Sequence, residues 1–318
     1  MAYKGKIITV GISPAWDVQF VCDDLDWGDH RQTDSYSEHA AGKALNISKA
    51  LSWFGYGSVA AGLWGARDYD DMLSNLRPYT HCLDIRFTTV PGRTRRNVSV
   101  FDSKRHRELH LRVPGELATK GNLKKLTEQL VGQIDEGDLC VFAGTMPEDS
   151  LSDDIVDMVW ACRQKGARII LDSSGAAFRK LYASQLADII SPNLLELSEL
   201  VGSKVKEDIE SAARAAKKLL GNVKNVLVSL GADGAILVNK EGLWHSRFTG
   251  TPLSLRTTVG CGDHLLAGFI AGRYEDDDYA YALEKAVMCA SANAFGLTSL
   301  EPWEVKEKLE IETVFYNY

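Results

Sequence analysis

Apolar positions along the chain fall into two patterns. Short continuous runs rich in branched residues recur at 6–11, 58–65, 139–144, 168–172, 188–191 and 225–231. From residue 120 onward, stretches with helical spacing separate such runs, which is the pattern of βαβ units and a parallel sheet. The fold class this predicts is α/β. Ala44, Ile47, Leu51 and Phe54 make one helical face that stops at Gly55, so a helix begins near Gly42-Lys43. Leu266, Phe269, Ile270 and Tyr274 place another helix after a glycine turn near the C-terminus. Residues 85–113 read differently, because 87–90, 97–101 and 109–113 alternate between polar turns and no helix fits between them. With 18–21 and 31–36 they predict a small separate sheet. The expected organisation is one domain over 1–318 with a β lid at about 18–36 and 85–113. The last residues, from Val314 to Tyr318, carry no readable signal.

Composition narrows the partner. A net charge of −7, with 45% hydrophobic and 25% charged residues, disfavours a broad basic surface for nucleic acid or anionic lipid and favours a small molecule. The six cysteines form no C-x-x-C pair and read as reduced thiols, so a cytoplasmic protein is expected. No run approaches the ~20 apolar residues that span a membrane, and the N-terminus does not resemble a signal peptide.

The candidate chemistry sits at turns. In Gly260-Cys261-Gly262-Asp263 two glycines let consecutive amides converge on an anion at a helix start, and Asp263 stands beside it as a general base. The alternative is that Asp263 caps its helix. Lys43 beside Gly42 is an ill-placed charge for a helix N-terminus unless an anion lies there. Asp17, beyond the first strand, either binds substrate hydroxyls or is a turn acid. The three arginines of 93–97 either fork onto a phosphate or protect an edge. Asn193 and Glu196 share a helix-start face and could hold a hydrated Mg²⁺, or form a capping box. Ser229, Gly231 and Gly234 allow close approach of nucleotide phosphates, though hairpin turns look similar.

Their order is more specific than any one of them. Gly42-Lys43 with Asn46, Thr94-Arg95-Arg96-Asn97, Gly144-Thr145 with Pro147, Asp172-Ser173-Ser174-Gly175, Pro192-Asn193 with Glu196, Ser229 with Gly231 and Gly234, and Thr258-Val259-Gly260 with Gly262-Asp263 follow one another along the chain. Together they resemble the ribokinase-like, PfkB-type carbohydrate kinases, nearest in motif to the branch of 1-phosphofructokinase and tagatose-6-phosphate kinase. The resemblance implies a Rossmann-like three-layer α/β/α fold and transfer of the ATP γ-phosphate to a hydroxyl of a phosphorylated ketohexose, with Mg²⁺. It implies Asp263 as base, an anion hole at Gly260, Cys261 and Gly262, and Asn193 and Glu196 organising Mg²⁺ and the ATP phosphates. Ser229, Gly231, Gly234 and Asn293 would bind nucleotide. Asp17, Gly42 and Asn46 would hold sugar hydroxyls, while Lys43 and Arg95, helped by Arg31, grip the existing phosphate. A homodimer through the lid is implied as well. Departures from the pattern at Ala44, His110, Thr145, Ser191 and His264 bear on substrate choice. The alternatives are a kinase of an unphosphorylated sugar or nucleoside, or a non-catalytic sugar-phosphate sensor.

Overall fold

The structure is a computed structural model, and it describes residues 3–105, 107–147, 149–251 and 253–317. In chain order its strands are β1 (Ile7–Gly11), β2 (Ala15–Cys22), β3 (Ser35–Ala41), β4 (Ser58–Gly65), β5 (Leu83–Val90), β6 (Arg95–Asp102), β7 (Arg107–Leu111), β8 (Leu139–Thr145), β9 (Arg168–Ser174), β10 (Ile189–Ile190), β11 (Asn225–Ser229), β12 (Ala235–Val238), β13 (Leu243–Phe248) and β14 (Ile311–Tyr316). Among the described residues they form a ten-stranded sheet in the order β14-β13-β12-β11-β10-β9-β8-β1-β4-β5 and a four-stranded sheet in the order β3-β2-β6-β7.

The continuous apolar runs are explained by burial on both faces. Ile7, Leu139, Val141, Ile170 and Leu227 pack on one side, against the helices Lys43–Trp53, Cys261–Glu275 and Tyr279–Ala294. Their neighbours Ile8, Cys140, Phe142, Ile169, Leu171 and Val226 pack on the other, with Leu126, Ile155 and Phe178 from the opposite helix layer. Side chains alternate across a strand, so each run feeds both cores and the result is a three-layer α/β/α stack. From β5 to β11 the strands are parallel, and their C-terminal ends share one edge of the sheet. Ligand sites of open α/β sheets lie at that edge.

Three details differ from the sequence reading. Residues 85–90 belong to β5, the edge of the large sheet, and not to the small one, whose strands cover only 15–22, 35–41, 95–102 and 107–111. Alternation marked 87–90 as half-covered, which an edge strand also is. The large sheet is not wholly parallel, since β12, β13 and β14 continue it antiparallel. The unread tail is therefore the strand β14, with Tyr318 outside the described residues. No helix among the described residues is long and apolar enough to cross a membrane.

The small sheet has two unlike faces. Cross-strand neighbours Tyr36, Phe20, Val100 and Leu109 form an apolar row on one, whereas His39, Asp17 and Asn97 line up on the other, with Ser37, Gln19, Ser99 and His110 in the next polar row.

Candidate active site

The Cys261–Glu275 helix is a rigid platform, since Leu265, Leu266, Phe269 and Ile270 are all buried. Gly260 is its N-cap with φ 75°, a left-handed conformation that suits glycine. Asp263 sits in the first turn and is 4% exposed. Its Oδ2 accepts a 2.9 Å hydrogen bond from Asn46 Nδ2 on the neighbouring helix. Burial pushes its carboxyl up to about 7; Asp172 and Asp17 add to the rise, and Lys43 and the Asn46 hydrogen bond oppose it. A carboxylate poised near neutrality, at the positive end of a buried helix, suits a general base better than a mere cap.

Lys43 is the first residue of the Lys43–Trp53 helix, after Gly42 with φ 119°. A β-carbon at Gly42 would stand 3.3 Å from Pro14 Cα, so only glycine brings the helix start this close to the Ser13-Pro14 turn. Lys43 Nζ pairs with Asp172 Oδ1 at 2.8 Å. Burial works against its charge, but Asp172, Asp263 and Glu196 outweigh burial and hold the amine protonated. The other oxygen of Asp172, Oδ2, is buried without a hydrogen-bond partner. Such an atom has capacity left for a ligand. Burial also pushes the Glu196 carboxyl up, with Lys43 pulling the other way.

The polar face of the small sheet supplies Asp17, whose Oδ1 accepts from Asn97 Nδ2 at 3.0 Å. Arg95 flanks the same turn as Gly42: Nε, Nη1 and Nη2 donate to the carbonyls of Pro14, Val113 and Ser13. Arg31 is set apart, bonded to the Asp23 and Asp24 carbonyls in the β2–β3 connection and paired with Asp29, with none of the other candidates among its contacts within the described residues. His110 has both ring nitrogens engaged, by Ser99 at 2.8 Å and Glu108 at 3.2 Å.

On the other flank, Asn193 and Glu196 form a full capping box: Asn193 Oδ1 accepts from the amides of Leu195 and Glu196, and Glu196 Oε2 accepts from Asn193 N at 3.0 Å. The capping role raised from sequence is thus present, and it engages Glu196 Oε2, with no hydrogen bond to Oε1 among the described residues. Asn193 also bridges to Ser229 at the end of β11, which leads into the Gly231–Asp233 turn and Gly234. Asn293 donates to Val259 O at 2.9 Å and to Cys261 Sγ at 3.4 Å, tying the late helix to the glycine turn. His264 Nδ1 lies 2.9 Å from Gly260 O and donates to it; burial lowers its pKa, so the ring is neutral.

No group of three or more His, Cys, Asp or Glu among the described residues could hold a metal alone. Asp172 belongs to a sequence motif that by itself assigns it no role; its place near the end of β9 is the one local signal. The bond from Asn97 to Asp17, across two strands 80 residues apart, has no local signal either.

The sequence profile of the pfkB family carbohydrate kinases matches residues 4–302. The chain is 30% identical over 292 residues to a 1-phosphofructokinase of Bacillus subtilis, covering 91% of this chain and 92% of the relative. It is 26% identical over 302 residues to a tagatose-6-phosphate kinase of Staphylococcus epidermidis, covering 92% and 91%. Phosphofructokinase-2 of Escherichia coli in complex with fructose-6-phosphate superposes with a TM-score of 0.85 at 21% identity, over 95% of this chain and 100% of that one. A tetrameric inhibited form of that enzyme superposes with the same TM-score of 0.85 at 22% identity, over 95% and 100%.

Proposed function

This chain belongs to the pfkB family of carbohydrate kinases, and from that premise we propose that it transfers the γ-phosphate of ATP to a hydroxyl of a phosphorylated ketohexose. The observation that carries the reading is the set Lys43–Asp172 and Asn46–Asp263: a half-buried cation, paired with a buried carboxylate, three residues from the side chain that touches the base. Asp263 takes the acceptor's proton as that oxygen bonds to the γ-phosphorus and the bond from phosphorus to the ADP oxygen breaks. The amides after Gly260 face the charge on the transferring group. Asp17 and Asn46 orient the acceptor, and its phosphate draws on Lys43 and Arg95. Mg²⁺, held near Asp172 and Glu196, would neutralise phosphate charge. The polar face of the small sheet excludes water when it closes.

ATP turnover, read as ADP release, across fructose 1-phosphate, tagatose 6-phosphate, fructose 6-phosphate, free fructose, ribose and adenosine tests the reading. Turnover with phosphosugars alone supports it. A second reading, an unphosphorylated acceptor, draws on two observations: Asp172 already pairs with Lys43, and three Arg95 nitrogens are bonded to backbone carbonyls. Turnover with free sugars or nucleosides alone would select it.

The base sets the sign of the pH dependence. Asp263 acts only when deprotonated, so kcat/KM is expected to fall as pH drops through about 7, while alkaline pH leaves this group active. A profile flat from pH 5 to 8 would remove Asp263 from that role.

The apolar face of the small sheet, with Tyr36 56%, Leu109 46% and Leu111 51% exposed, supports pairing with a second copy through that face. Leu109→Glu is expected to convert a dimer to monomers in analytical ultracentrifugation; an unchanged mass would place any dimer interface elsewhere.

A further inference from the structure

A cavity opens beside the catalytic residues, sharing Asn46 and His264 with their surroundings. It has a volume of about 650 Å³ and runs along the outer face of the Lys43–Trp53 helix, between residues 78–81 and 298–302. Asn46, Lys49, Trp53, Tyr79, His81 and His264 line it, whereas Lys43, Asp172 and Asp263 do not. Its size is that of a small-ligand site.

Its chemistry is specific. Lys49 Nζ donates to Ala40 O at 2.6 Å and stands 5.3 Å from the centre of the Tyr79 ring, but forms no salt bridge among the described residues. Burial lowers its pKa to about 8, only partly offset by the charge of Asp17. A half-buried cation without a paired carboxylate favours an incoming anion. The carboxylate on the wall, Glu301, stands at the start of its own helix, where its backbone amide donates to Glu304 Oε2 at 2.9 Å. Trp53 is fixed by a 2.7 Å bond from Nε1 to Leu300 O, and its ring lies 4.9 Å from that of Phe54, so the apolar wall is preformed. His81 and His264 each lie within hydrogen-bond reach of a backbone carbonyl through Nδ1, at 3.1 Å and 2.9 Å. In the tautomer in which Nδ1 donates, Nε2 is an acceptor for a hydroxyl or amino group.

We propose that this groove binds a small, flat-ringed organic anion bearing a hydrogen-bond donor, and that its occupancy is coupled to catalysis. The coupling runs through two walls that also touch the active site. Asn46 donates to Asp263 Oδ2, and His264 donates to the carbonyl of Gly260. Moving either side chain changes the field at the base or the shape of the glycine turn.

The test is calorimetric titration of the full chain with 6-hydroxy-2-naphthoate and with its uncharged carboxamide, both with and without saturating sugar phosphate. The acid should bind about tenfold or more tightly than the amide, because a charge-assisted contact to Lys49 is lost in the amide. Lys49→Met should abolish that gap, and Thr298→Trp, which fills the groove from the other wall, should weaken both ligands. Bound acid should shift kcat or the acid limb of the pH profile. Absent binding, equal affinities, a gap that survives Lys49→Met, or unweakened binding in Thr298→Trp would overturn the site. Displacement by sugar phosphate would overturn it too, by assigning the probe to the acceptor pocket. Binding that leaves kcat and the pH profile untouched would overturn the coupling. Since calorimetry does not depend on turnover, failure here is distinct from failure of the proposed reaction.

Discussion

Asp263→Asn is expected to lower kcat by about 10²–10⁴, the usual worth of a positioned general base, while nucleotide affinity stays unchanged. The substitution keeps the volume of a side chain that is 4% exposed, so no cavity opens. The Asn46 contact survives as well, because the new amide can present its oxygen to Asn46 Nδ2 where Oδ2 stood. What disappears is the lone pair able to accept a proton near neutrality. The acid limb of kcat/KM should therefore vanish along with most of the rate, since the group that burial holds near 7 is gone. Rapid-quench turnover and ADP binding by calorimetry separate the two effects. Near-normal kcat would show that another group takes the proton, and a parallel loss of ADP affinity would show a disrupted glycine turn.

The parts of this molecule legible in the sequence are those fixed by local rules. The Lys43–Trp53 helix starts and stops where Gly42 and Gly55 dictate, and the apolar runs became parallel strands because both faces of the large sheet are covered. Asn193 and Glu196 read equally as capping box and ligands from sequence; the box is formed, and Glu196 Oε1 keeps the second role open to test. Long-range placement was not legible. Residues 87–90 have the alternation of a small-sheet strand, and only pairing with β4 assigns them to the large sheet. Nothing near Asp172 announces that it pairs with a lysine 129 residues away. Arg31 follows the same logic in reverse, since a charge near the lid in sequence is held by its own loop. The Lys49 groove is a product of four separated segments, which no local pattern encodes.

Lys43→Met is expected to raise the KM for a phosphorylated sugar by about 10- to 100-fold, with a much smaller change for ATP, as befits loss of a charge-assisted contact to phosphate. Methionine retains most of the aliphatic stem, so packing beside Gly144 is kept, and a β-carbon there would be 3.7 Å away. The loss is electrostatic, and it has a second readout. Lys43 is one of the groups that favour the ionised form of Asp263, while Asp172 disfavours it. Removing the cation leaves two buried carboxylates facing each other, so the base becomes harder to ionise. The acid limb of kcat/KM should move to higher pH, and the variant should recover part of its activity on going from pH 7 to 9. A residue that only clamped substrate phosphate would raise KM without moving that limb. A residue that only neutralised Asp172 would move the limb without distinguishing phosphorylated from free sugars. Both changes together are what Lys43 must produce if its amine, 2.8 Å from Asp172, serves acceptor and base at once.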